Sequence, residues 1–300
     1  MSVRLAHLSD IHITAAPLGW QWQDWLNKRA AGWFNLRFLG RGWHFRDAET
    51  VLSQLVAELR TRRPDRIVFS GDATALGFEA EFARAAAILQ LTHPDTPPGL
   101  AVPGNHDYYT RTSAGLGHFE RYFAPWQQGE RESEHTYPFA QRVGHVWLIA
   151  VNSCTGNRWF WDAGGSVDAG QLERLGRLLR RIEGGPRVLV THYPVAVENG
   201  SLERRSHALR NLSELVRVAA EGGVGLWLHG HRHRAYVLSR PGMAPFPVVC
   251  VGSATQSGLW SFNEYTIDGH DCRATRLAYS PAAHGFVEVE QFTLALTGAK

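Results

Sequence analysis

Lysine is almost missing from this 300-residue chain: of its 31 basic residues only Lys28 and Lys300 are lysines, and the rest are arginines. Genomic base composition explains most of such a bias, although the planar arginine fork also suits phosphate and carboxylate. A dominant charge sign is missing too. The basic residues face 28 acidic ones, and a formal net charge of +3 is too small to mark a nucleic-acid-binding surface. Three scattered cysteines, Cys154, Cys250 and Cys272, exclude a disulfide scaffold or a thiolate metal site. No apolar run approaches the ~18 residues of a membrane span. The first apolar stretch, Val3 to Leu8, reads as a strand rather than a secretory h-region, so a reducing, cytoplasmic setting is expected. No heptad or repeat persists, which excludes coiled coils and solenoids. No linker rich in Pro, Gly or Ser divides the chain, so residues 1–300 are expected to form one domain, although the length would allow two. A content of 44% hydrophobic and 20% charged residues is enough for a sizeable core.

What is present is a set of short apolar runs, each ending in Gly, Asp, Asn or His. They are residues 3–8, 67–69, 100–102, 146–151, 188–190 and 224–228, and such runs fit strands buried on both faces. Helical patterns separate them: 47–62 with Asp47 placed to cap, 78–90, 168–182 after Asp168, and 206–220. The alternation predicts an α/β layered sandwich. The tail changes character, with strands expected at 248–251, 264–267, 273–279 and 286–296 as a meander or second sheet.

The strand ends offer, in order, Asp10-x-His12, Gly71-Asp72, Gly104-Asn105-His106-Asp107, His192 and Gly230-His231-x-His233. Strand C-termini in layered α/β folds converge on one rim, where ligands bind. Imidazole and carboxylate suit borderline divalent metals such as Zn, Mn, Fe or Co. Asp72 has two oxygens and could bridge a pair of ions roughly 3.5–4 Å apart. Gly71, Gly104 and Gly230 would permit tight turns or positive φ beside the metals. His106 follows Asn105, and an ordinary imidazole pKa of about 6.5 suits proton donation. Asp107 either orients His106 or caps the next segment. His229, before Gly230, is a candidate support for the ligands, and the remaining histidines are expected at the surface or in packing.

This series of blocks, in this order over residues 10–233, resembles the calcineurin-like metallophosphoesterase superfamily. The resemblance implies a four-layer αββα sandwich with two mixed sheets and a cofactor of two divalent metal ions (Mn, Fe or Zn). It implies that Asp10, His12, Asp72 and His233 bind one ion, and that Asp72, Asn105, His192 and His231 bind the other. His106 would contact the scissile phosphate and assist the leaving oxygen, while a metal-bridging hydroxide attacks phosphorus. Asn105, His106, His207 and Arg210 are the candidate substrate contacts.

Residues 17–46 carry five of the 11 tryptophans, interleaved with Lys28, Arg29, Arg37, Arg41 and Arg46, immediately after the first ligand pair. Their spacing predicts an amphipathic helix, or two broken near Gly32, at the rim of the site. Either the aromatic stripe packs on the sandwich, or it contacts lipid headgroups or acyl chains, placing the protein at the inner membrane face. Residues 108–137 and 157–165, the latter with Trp159, Phe160 and Trp161, are further candidates to wall the pocket. The expected activity is cleavage of a phosphodiester or pyrophosphate bond in a small-molecule or lipid-linked substrate, as in UDP-2,3-diacylglucosamine hydrolases. A cyclic-nucleotide phosphodiesterase is the alternative, and a non-catalytic scaffold on the same fold a distant third. No nucleic acid and no obligate protein partner is expected.

Overall fold

Short apolar strands buried on both faces build the frame. In the computed structural model, which describes residues 2–157, 159 and 161–296, the strands are β1 (Val3–Leu8), β2 (Arg66–Phe69), β3 (Gly99–Ala101), β4 (Phe139–Val143), β5 (Val146–Ala150) and β6 (Arg187–Val190). They continue with β7 (Val224–His229), β8 (Tyr236–Leu238), β9 (Val248–Cys250), β10 (Ser261–Asp268), β11 (Asp271–Ser280) and β12 (Gly285–Ala295). The helices are α1 (Lys28–Phe38), α2 (Arg41–His44), α3 (Ala48–Arg62), α4 (Glu79–Leu89), α5 (Arg111–Gly115), α6 (His118–Tyr122), α7 (Ala169–Arg181) and α8 (Leu212–Glu221).

Two mixed sheets result, in the orders β12-β11-β10-β1-β2-β3 and β4-β5-β6-β7-β9-β8. β1, β2 and β3 run parallel, as do β5, β6, β7 and β9. Leu5, Val68 and Leu100 of the first sheet meet Val190, Leu226 and Leu228 of the second in one inner layer. The other face of each sheet is covered by helices. Leu52, Leu55 and Phe82 of α3 and α4 lie on Ala6, Leu8 and Phe69, and Leu175, Leu179 and Leu215 of α7 and α8 lie on Ile149, Leu189 and Trp227. This is the αββα sandwich expected. Each fully buried Leu in these layers contributes about 1.5–3 kcal/mol by leaving water.

Three expectations need correction. The last three tail strands do form a meander, β10-β11-β12, but it is no separate sheet: β10 pairs antiparallel with β1 and extends the first sheet, whereas β9 joins the second beside β7. β1 thus lies between β2 and β10, and β10 presents Tyr265 and Ile267 to the inner layer and Phe262 to the helical side. On β12, Phe286 and Leu294 are both even-numbered yet reach opposite layers. A bulge allows this, because Glu288 and Glu290 pair with Leu277 and Arg276 and leave Val289 as the extra residue. The helix expected from 206 begins only at Leu212, because Leu209 bridges Gly165 and the Asn211 side chain bonds both Val167 N and O. Of the two aspartates placed at helix starts, Asp168 accepts from Gln171 N, whereas the Asp47 carboxylate bonds Arg46 instead.

Candidate metal centre

The parallel strands β1, β2, β3, β6 and β7 deliver their C-terminal loops to one rim, and backbone bonds sew those loops together. Asp10 N donates to Gly71 O (2.9 Å), and Ile11 N and His12 N both donate to Asp72 O (2.9 and 3.0 Å). Asp107 supplies the clasp. Its carboxylate accepts from Asp72 N (2.9 Å), Thr74 N (3.0 Å) and Gly104 N (2.8 Å), so it neither orients the His106 ring nor acts as a cap. Burial, and then the charge of Asp72, push Asp107 up to about 7 despite those three donors.

The ligand residues themselves take the strained turns. Asp10, His12, Asp72, His231 and His233 have φ between 42° and 71°, five of the eight non-glycine residues with positive φ among those described. Such conformations cost of order 1–3 kcal/mol each and persist where surrounding bonds over-determine them. Of the three glycines, only Gly71 uses positive φ (99°). Gly104 and Gly230 are there for close approach: a Cβ on Gly104 would fall on Asp72 Oδ1, and one on Gly230 would fall on Ser9 Oγ.

Each carboxylate has one oxygen fixed by backbone and the other turned inward. His106 N holds Asp72 Oδ1 (2.7 Å), and His231 N holds Asp10 Oδ2 (3.0 Å). The inward oxygens gather the imidazoles. In one group, His233 Nε2 is 3.3 Å from Asp10 Oδ1 and 3.0 Å from His12 Nε2, and His12 Nε2 is 3.6 Å from Asp72 Oδ2. The four ligand atoms of that group lie within 4.8 Å of one another. In the other, His192 Nε2 is 3.4 Å from Asp72 Oδ2 and 3.1 Å from Asn105 Oδ1, which is 2.9 Å from His231 Nδ1. Asp72 Oδ2 therefore faces both groups.

Three observations show that this donor set fits a pair of cations. Asp10 Oδ1 is buried without a hydrogen-bond partner. Nitrogen lone pairs converge on one another and on carboxylate oxygens, an arrangement that only positive charge between them can stabilise. Finally, protons take up that role where they can. Burial opposes charge on every group here, yet Asp72 drives His192 up to about 9, Asp10 drives His233 up, and His233 in turn holds Asp10 at about 2. Burial keeps His12 and His231 well below the ordinary imidazole range. Bonds at the far nitrogens aim the ligand atoms inward: His12 Nδ1 meets Thr74 O, His192 Nδ1 meets Ser70 O, and His233 Nδ1 meets Gln256 Oε1.

His106 lies beside the cluster, its ring 4.8 Å from that of His12. Its Nδ1 meets Ala75 O (2.8 Å), and Arg41 Nη2 stands 3.2 Å from Nδ1 and 3.1 Å from Nε2. Burial and then Arg41 hold it well below the ordinary imidazole range, so the expected value near 6.5 does not describe it. Arg41 also reaches His12 Nδ1 (3.3 Å), and Lys28 Nζ stands 4.5 Å from the Tyr109 ring, which is 5.2 Å from the His106 ring. Sequence reasoning missed Lys28 and Arg41 as site residues. Their signal was position, since both belong to the segment that follows the first ligand pair.

That segment, 17–46, is pinned by Arg29. Its guanidinium pairs with buried Asp24 (2.7 Å), donates to Leu76 O and Gly77 O in the loop after Asp72, and lies 4.1 Å over Phe78. Leu18, Trp20, Trp33 and Leu36 pack on Ala75, Leu76, Phe78 and Tyr109. The packing reading therefore holds for these four residues, while Trp22, Trp25, Leu26, Phe34, Phe38, Leu39 and Trp43 remain exposed. The helix does not break near Gly32. α1 passes through it, since a Cβ there would strike the Tyr109 hydroxyl, and the turn comes at Gly40 with φ 89°.

The remaining candidates lie elsewhere. His207 sits in an exposed turn bonded to Ser206, and Arg210 is paired with Asp162 at 2.6 Å; no described bond links either to the cluster. His229 is buried, with Nδ1 on Gly230 O, and His7 bonds Ser70 Oγ beneath the site. Within 108–137, Trp126 is core and only Tyr109 reaches the site. Trp159 and Trp161 stack at 5.1 Å, and Phe160 lies outside the described residues.

Two facing ligand groups that share a carboxylate, on the strand-end rim of an αββα sandwich, define the dinuclear metallophosphoesterase class. Residues 3–235 match the family described as calcineurin-like phosphoesterase, and the chain belongs to that family. It is thus a hydrolase acting on phosphate esters. Among solved structures, it is similar to a dimetal phosphatase from Danio rerio (15% identity, TM-score 0.63, covering 98% of this chain and 99% of that one). It is also similar to a purple acid phosphatase from yellow lupin seeds (13% identity, TM-score 0.62, 98% and 54%) and to Plasmodium GAP50 (11%, 0.55, 100% and 90%). Comparison with curated proteins gives no match. No helix among the described residues is long and apolar enough to cross a membrane.

Proposed function

We propose that this chain is a dinuclear metal-dependent hydrolase cleaving a phosphodiester or pyrophosphate bond in a lipid-linked substrate. The observation that carries the lipid assignment is a cavity of about 360 Å³ lined by His12, Trp33, Leu36 and Phe45, with Arg37, Arg46 and Glu49 beside them. Its size falls within the range of about 300–1,000 Å³ typical of small-molecule sites. An apolar wall next to arginines accommodates an acyl chain below a phosphate, and the exposed aromatics outside it suit a headgroup layer.

Asp10, His12, Asp72 and His233 would hold one ion, and Asp72, Asn105, His192 and His231 the other. Bound there, two divalent ions supply Lewis acidity and a water of lowered pKa. The chain's own residues do the rest. Asp72 Oδ2 fixes the spacing of the two sites, while Asn105 Oδ1 adds a neutral donor that limits charge cancellation. His106, held through Nδ1 by Ala75 O, presents Nε2 to the leaving oxygen. A phosphoryl group beside it would offset the charge of Arg41 and let Nε2 take up a proton.

The manganese-loaded protein should hydrolyse bis-(p-nitrophenyl) phosphate. It should cleave a diacylated nucleotide pyrophosphate in liposomes at a kcat/KM that falls when Trp43 and Phe38 are replaced by alanine. Cleavage of cyclic AMP with indifference to acylated pyrophosphates would replace the lipid assignment with the cyclic-nucleotide one.

A further inference from the structure

Nearly every buried or half-buried arginine outside the site has a carboxylate or carbonyl partner; Arg29, Arg62 and Arg187 are examples. Lys28 and Arg41 break the pattern. Lys28 is only 7% exposed, yet among the described residues its ammonium has neither a hydrogen-bond acceptor nor an ion-pair partner, only the face of Tyr109. Burial lowers it to about 8, with Asp162 and Asp72 acting only through space to raise it. Arg41 likewise has no carboxylate, and its Nη2 rests on two imidazoles, His12 and His106. Both cations come from the inserted segment and are held there deliberately: Asn27 caps α1 one residue before Lys28, and Gly32 lets α1 close on Tyr109.

Their placement relative to the cluster is informative. Moving outward from the ligand groups, the rings of His12, His106 and Tyr109 succeed one another at 4.8 and 5.2 Å, and Lys28 follows 4.5 Å beyond. Arg41 sits over the middle of this row. In a substrate whose scissile phosphoryl oxygens faced the ligand groups, cations along the row would meet anionic charge on the leaving-group side of His106.

We propose that Lys28 and Arg41 form a subsite for a second phosphoryl group, making the substrate a pyrophosphate rather than a simple diester. The inference rests on the phosphohydrolase reading above and narrows it. In the reaction, water oxygen forms a new bond to the phosphorus at the cluster, and that phosphorus loses its bond to the bridging oxygen. The bridging oxygen departs as part of a phosphate monoester that takes a proton from His106 Nε2 and whose charge Lys28 and Arg41 neutralise, and the proton of the attacking water passes to solvent. These residues act on charge, so an arginine at position 28 should substitute where a glutamine cannot.

The test uses full-length protein in two arms. In the first, kcat/KM of the manganese-loaded enzyme is measured on UDP-glucose and on bis-(p-nitrophenyl) phosphate for wild type, Lys28→Gln and Lys28→Arg. The ratio of the two values should fall at least tenfold in Lys28→Gln and recover in Lys28→Arg; equal losses on both substrates would overturn the subsite. In the second, calorimetry compares ADP with AMP on the metal-free protein. ADP should bind more tightly, with the advantage lost in Lys28→Gln and Arg41→Gln; an unchanged ADP preference would overturn the proposal. Binding requires no turnover, so the second arm decides the subsite even where neither substrate is cleaved, and that failure would count against the phosphohydrolase reading alone. Thermal unfolding of each variant separates loss of binding from loss of fold.

Discussion

The strand-end cluster and the inserted segment 17–46 are adjacent in space and built on opposite plans. The cluster is buried, strained at five ligand residues, and tied by backbone bonds among three loops, with Asp107 alone accepting three N–H groups. The insert keeps seven large apolar side chains exposed and hangs on Arg29, one small apolar contact and a close approach at Gly32. A site that must hold two cations at a fixed spacing needs geometry that does not yield. A surface that selects substrates needs only to be attached in the right place. The contrast fits the proposal that the frame carries the chemistry and the appendage the choice of substrate.

Removing the shared ligand attacks the frame most directly. Asp72→Ala should abolish hydrolysis of bis-(p-nitrophenyl) phosphate, a larger loss than the roughly 10–100-fold caused by removing a supporting partner, and bound metal should fall with it. Activity retained alongside full metal content would dissolve the two-group description. Cutting the anchor attacks the appendage instead. Arg29→Ala leaves Asp24 buried without its partner, and breaking such a pair costs about 3–5 kcal/mol. Proteolysis within 17–46 should accelerate, and activity on an acylated pyrophosphate should fall further than activity on bis-(p-nitrophenyl) phosphate. Parallel losses would mean that the two regions are not separable.

A further expected effect concerns pH. His192 is raised to about 9 and His233 is also raised, so the folded, metal-free protein binds protons that the unfolded chain releases near its ordinary imidazole value. That contribution is complete below about pH 6.5 and is lost as pH rises toward 9, at about 1.4 kcal/mol per pH unit for each proton. Over pH 7–9 the metal-free protein should therefore lose stability in thermal scans. Metal ions must displace the same protons, so manganese should bind more tightly with rising pH and reverse the loss. A flat metal-free profile would show that the carboxylates do not recruit charge as described.

Much of this was legible because it is local. The apolar runs, the turn residues after them and the Asp-x-His and His-x-His spacings each lie within a few residues, and parallel strands bring their C-termini together. What was not legible depends on distant partners. β4 and β8 are edge strands with no distinctive run, and α8 starts late because Asn211 is claimed by Val167. The clasp formed by Asp107 and the support from Gln256 to His233 cross loops far apart in the chain.

By itself, the order of residues determined the donor set and the layered class, because ligand chemistry belongs to side-chain types and strand burial to short-range patterns. Only the tertiary structure decided that Gly104 and Gly230 serve close approach rather than positive φ. It alone attached the tail to β1, and it alone set Lys28 over Tyr109 and Arg41 beside His106. These outcomes depend on which surfaces exclude water together and which charges are left facing one another, and neither is a property of any one segment.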